Sequence, residues 1–127
     1  MRLFYIICLS FLLSACGFNL PSFSDPNQDV AIIDIRQDIV NFNCDSNHQQ
    51  QLEILKQHIQ WFALYSEAKG KRQNDVLTLI EPMKETTEEF YLRTVNQGEG
   101  SKFYCETKKK ILNEQSKMAA EAVLRRF

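Results

Sequence analysis

A chain of 127 residues, 44% of them hydrophobic, with 15 lysines and arginines against 16 aspartates and glutamates, has the size of one domain and almost no net charge. That balance excludes a nucleic-acid binder, which would carry a clear basic excess.

The first element is an apolar run, Leu3 to Leu13, behind a single charge, Arg2. At about 1.5 Å per residue it spans about 17 Å as a helix, well short of a hydrocarbon core of about 30 Å. A positive start, a short apolar stretch and small residues ahead of a cut site make a secretory signal over residues 1–15 rather than a membrane span. The tetrapeptide Leu13-Ser14-Ala15-Cys16 then resembles the lipobox of bacterial lipoproteins. The resemblance covers residues 1–17. It implies removal of residues 1–15, a diacylglycerol on the Cys16 thiol and an acyl chain on its amine. Gly17 is not the aspartate that marks inner-membrane retention in many Gram-negative lipoproteins. The resemblance therefore implies a periplasm-facing protein held at the outer membrane by its lipid.

On that reading Cys8 leaves with the signal and Cys16 is consumed by the lipid, so Cys44 and Cys105 remain in a compartment where disulfides persist. A structural bond between them is expected. Neither a Cys-x-x-Cys redox spacing nor a histidine set at metal-ligand spacing competes with it.

Residues 16–29 carry Pro21 and Pro26 without hydrophobic period and read as a flexible tether. The helical domain is expected over 30–127. Ile32, Ile35, Ile39 and Phe42 predict a first helix over 30–43, although the β-branched run 30–35 would also suit a strand. Ser46 and Gln49 match a capping box for a second helix over 47–69, stopped by Gly70. Its apolar line, Leu52, Leu55, Ile59 and Phe62, is widened by Ile54, Trp61, Leu64 and Tyr65 beyond what one neighbour would cover. A third, acidic helix is expected over 75–96, with a kink or break near Leu79–Glu81 imposed by Pro82. Its stripe is Val76, Leu79, Ile80, Met83, Phe90 and Val95, weakened in the middle by Thr86 and Thr87. After the turn at residues 96–101, Ser101 starts a fourth, basic helix over 102–126, whose stripe includes Tyr104, Cys105, Ile111, Leu112, Met118, Ala119, Ala122 and Val123.

No catalytic constellation is found. His48 and His58 diverge on the second helix and read as surface or boundary side chains, and Glu88 and Glu89 diverge on the third. Neither a metal nor a cofactor is implied, and an enzyme is not expected. The fold expected is all-α: about four helices, antiparallel neighbours, one disulfide, on a lipidated tether. In layout alone this resembles the pilotins of type II secretion systems, which bind an amphipathic helix of a secretin. That resemblance implies an envelope protein as partner and a groove lined by apolar residues beyond the core's needs, with Trp61, Phe62, Tyr65, Phe90 and Tyr91 as candidates. Two other roles fit the same layout: an immunity or exclusion lipoprotein acting through a charged surface, and a structural envelope lipoprotein.

Overall fold

The computed structural model describes residues 25–70 and 73–125; the signal segment, Cys16 and most of the expected tether lie outside them. The described residues form four helices: α1 Pro26–Val40, α2 His48–Ala68, α3 Asn74–Gln97 and α4 Lys102–Leu124. The alternative of a strand over 30–35 is excluded, because those residues lie inside α1.

Helix α1 starts four residues earlier than expected. Asp25 is its N-cap, accepting the Asn27 amide at 2.9 Å, and Pro26 occupies the first helical turn. There its fixed φ suits the helix and its missing donor is not needed. Pro26 is thus a helix start, and residues 25–29 belong to the domain rather than to the tether.

The expected capping box of α2 does not form. Asn47 sits in the left-handed region at φ 57° and makes no side-chain cap, a conformation that asparagine tolerates better than most residues. The cap comes from another loop: Glu99 accepts the His48 amide at 3.0 Å. Gln51 organises the preceding turn, accepting the Asn43 amide and donating to the carbonyls of Asn43, Ser46 and Asn47. At the other end α2 stops at Gly70 as expected, with φ 94°.

Helix α3 runs unbroken through Pro82, so of the expected kink or break the break does not occur. Pro82 is exposed, and so is Thr78, whose carbonyl loses its partner; water can serve it there. Ser101 caps α4 by accepting the Tyr104 amide at 3.1 Å.

Packing follows a closed ring. Each helix touches its neighbours in sequence, α1 also touches α4, and neither diagonal pair meets. Every helix turns one stripe inward: Ile32, Ile35 and Ile39 from α1, Leu52, Leu55, Ile59 and Phe62 from α2, Val76, Ile80, Met83 and Phe90 from α3, Leu112, Ala119 and Val123 from α4. The stripes are narrower than their sequences suggest. Val95, Ile111 and Met118 are exposed, while Thr87, Thr94 and Ser116 are buried. Those three hydroxyls donate to the carbonyls of Met83, Phe90 and Asn113, so they enter the core already satisfied.

The two ends of the bundle are closed differently. At one, Cys44 in the α1–α2 connection is bonded to Cys105 in the first turn of α4, with Cα atoms 5.6 Å apart. Phe42, His48, Phe90 and Tyr104 pack as an aromatic cluster at that end. His48, expected at the surface or boundary, is only 1% exposed. Its Nε2 lies 2.9 Å from the Cys44 carbonyl, which can only accept, so Nε2 carries the proton.

At the opposite end a polar network joins the start of α1 to the α2–α3 connection. The Gln28 amide donates to Ser66 at 2.8 Å and to Gln73 at 3.1 Å. Asp25 accepts from the Tyr65 hydroxyl at 3.0 Å and pairs with the Lys69 ammonium. Burial pushes the Asp25 carboxyl up, but hydrogen bonds from Lys69, Tyr65 and the Asn27 amide outweigh it and hold the group below its usual range. A carboxyl depressed by folding contributes stability above its unfolded value of about 4 and loses it as pH falls through the lower folded value. Asp25→Asn is therefore expected to lower stability at neutral pH and to shrink the acid limb of the stability–pH curve below about pH 4. Urea unfolding of both proteins between neutral pH and about pH 2.5 checks this; parallel curves would show that Asp25 carries no such linkage.

Candidate functional site

The five aromatic residues expected to line a groove separate into three environments. Phe62 and Phe90 are both 0% exposed. They point into the ring of helices and serve the core, so they are removed from the candidate site. Tyr91 is half-buried on the α2–α3 side, where the Lys56 ammonium lies 3.9 Å from its ring centre and its hydroxyl is 3.4 Å from Glu53. It is displaced from the remaining pair.

Trp61 and Tyr65 do sit together. They lie one turn apart on α2, and their rings stack with centroids 4.9 Å apart and planes 9° from parallel. Tyr65 is held from below, donating to Asp25 and accepting from the Asn27 side-chain amide at 3.0 Å. The indole of Trp61 is 49% exposed. A tryptophan whose ring plane is set by a neighbour bound at its far end is presented rigidly, with little rotamer entropy left to lose.

Trp61 forms one wall of a cleft of about 390 Å³ between α1 and α2, shared with Asn27, Val30, Ala31, Asp34 and His58. Ala31 leaves the space, Val30 is 62% exposed beside it, and Trp61 supplies most of the aromatic surface. His58 is fastened across the cleft by its Nδ1, 2.5 Å from an oxygen of Asp38 on α1. Asp34 has no hydrogen-bond or ion-pair partner among the described residues. Sequence periodicity marked the width of the α2 face but not the cleft, since Val30, Ala31 and Asp34 come from a different helix. Their i, i+1, i+4 spacing on α1 was the signal available.

The acidic face expected on α3 is largely neutralised. Glu88 pairs with Lys56 at 2.8 Å, Glu89 with Lys108 at 2.9 Å and Glu81 with Lys84 at 3.6 Å. Among the described residues no three histidine, cysteine, aspartate or glutamate side chains converge as a metal site, and no helix is long and apolar enough to cross a membrane. The cleft is suited to binding an apolar side chain. No family model, curated protein or solved structure matches the chain.

Proposed function

We propose that the protein is a lipid-anchored, non-enzymatic adaptor of the bacterial envelope that takes an amphipathic helix of another envelope protein into the cleft between α1 and α2. The observation that carries this reading is Trp61: a half-exposed indole stacked on Tyr65, in an apolar cleft, rather than an indole buried in the core. Rigid aromatic side chains of this kind anchor interfaces, and helix-in-groove recognition lays the apolar face of a helix into a hydrophobic groove. The lipobox-like residues Leu13-Ser14-Ala15-Cys16 support attachment at Cys16, and the end of the bundle where α1 begins is the end that holds this cleft. Carrying a secretin to the outer membrane, as pilotins do, is one role this arrangement suits. The pairing of Glu81, Glu88 and Glu89 with lysines weighs against an immunity role resting on an acidic α3 surface.

The test joins localisation to binding. Cys16→Ser is expected to abolish labelling by a palmitate analogue and to release the protein from the membrane fraction. Trp61→Ala is expected to stay lipidated and folded within about 1 kcal/mol, yet to lose a partner crosslinked to the wild type in intact cells, by more than about 2 kcal/mol. A labelled Cys16→Ser protein ends the lipoprotein reading. A Trp61→Ala protein that keeps its partner ends the cleft reading.

A further inference from the structure

The charges of the chain are divided between its two halves. Residues 25–68, which hold α1 and α2, carry seven acids and two bases; residues 69–127, with α3 and α4, carry nine acids and twelve bases. Among the described residues the α1–α2 half is therefore net acidic, whereas residues 69–70 and 73–125 carry nine acids and nine bases and balance. The cleft lies on the acidic side. None of its lining residues is a lysine or arginine, and the nearby ammonium of Lys69 is already engaged by Asp25. Asp34 stands at the cleft with no partner among the described residues, next to Val30, Ala31 and Trp61.

From this we infer that the occupant of the cleft is a cationic amphipathic helix, which sets an apolar side chain against Trp61 and a lysine or arginine one turn away against Asp34. The inference rests on the docking role proposed above and narrows its partner. Complementary charge speeds encounter and excludes wrong partners, and its effect between exposed groups fades with added salt. Two other occupants fit less well. Residues 17–24 of the chain itself carry no charge and bring nothing to Asp34. The basic helix α4 of a second copy could face the cleft, but only by a head-to-tail contact, which gives a ring or an open filament rather than a two-fold dimer.

Trp61 is the chain's one tryptophan, so its emission reports the cleft directly. The mature lipidated protein in phosphatidylcholine vesicles would be titrated with two tryptophan-free helical peptides of identical leucine face, one with lysines and one with glutamates on the other face. The lysine peptide is expected to shift Trp61 emission saturably and to bind about tenfold tighter than its twin at low salt. That preference should diminish as salt rises, weaken in Asp34→Asn and reverse in Asp34→Lys. Both variants change an exposed side chain and leave the core alone. Equal responses to the two peptides, unaffected by Asp34→Lys, would overturn the charge inference while the cleft reading stands. No response to either peptide would remove both. An emission shift that depends on protein concentration alone would assign the cleft to a second copy, and one abolished by Phe23→Ser would assign it to the chain's own segment; either result overturns the inference.

Discussion

Phe90→Ala is expected to destabilise the domain by about 3–5 kcal/mol, the usual range for truncating a fully buried phenylalanine. Phe90 is where the aromatic cluster converges. Its ring lies 5.6 Å from Phe42, 5.6 Å from Tyr104 in an edge-on arrangement at 85°, and 6.2 Å from His48. These elements come from the α1–α2 connection, α4 and the first turn of α2, so one truncation loosens three contacts at once. Collapse around the gap is restricted, because Cys44 and Cys105 hold two of the surrounding segments together. Against a total stability of about 5–15 kcal/mol the loss is large, and the melting temperature should fall by more than about 10 °C. Urea unfolding followed through Trp61 on the far side of the bundle would register it as a shift in midpoint. Phe90→Leu should recover most of the loss. A change below about 1 kcal/mol for Phe90→Ala would mean that the cluster is not packed as described.

The second large effect belongs to the disulfide. Cys44 and Cys105 are separated by 61 positions, and closing a loop of that size stabilises by about 4 kcal/mol on the chain-entropy model. The Cys44→Ala, Cys105→Ala double variant is the cleaner probe, since a single variant would leave a thiol free to pair between molecules. It is expected to lose about 2–5 kcal/mol. The wild type unfolded in the presence of reductant should lose a similar amount, and the double variant should be indifferent to reductant. Alkylation of the native protein without reduction should modify neither cysteine. If reduction leaves the wild-type midpoint unchanged, the bond carries no share of the stability. The bond and Phe90 act on the same end of the molecule, so combining their losses should give a sum that departs from additivity.

Much of the bundle was legible along the chain. The number of helices, the stop at Gly70 and the cap at Ser101 follow from local rules, namely hydrophobic period and cap chemistry; the pairing of Cys44 with Cys105 follows instead from setting aside Cys8 and Cys16 on the lipobox resemblance. Backbone dihedrals and capping hydrogen bonds are short-range, which is why a local pattern suffices to read them. Pro26 shows how narrow that success is: by sequence it reads as part of the tether, although its fixed φ also suits a helix start, and only the bonded Asp25–Asn27 cap distinguishes the two uses.

What the tertiary structure alone decided concerns which side of each helix meets a neighbour. Phe62 and Trp61 are adjacent, equally apolar and on the same wide face, yet one is sealed in the core and the other is half exposed. Their difference is a rotation of about 100° around α2, and its meaning depends on where α1 and α3 sit. The same holds for His48, which is buried because Phe42, Phe90 and the Cys44 carbonyl come from remote segments to receive it. Thr87 and Thr94 could enter the core because their hydroxyls bond within their own helix, a satisfaction that composition does not record. The cleft itself is a distance between two helices, and no residue of either contains it. Sequence specified the helices and the ends at Gly70 and Ser101 by short-range geometry; the α2 cap from Glu99 and the cleft arose only when packing brought remote segments together and chose, among several apolar residues, which to bury and which to leave facing outward.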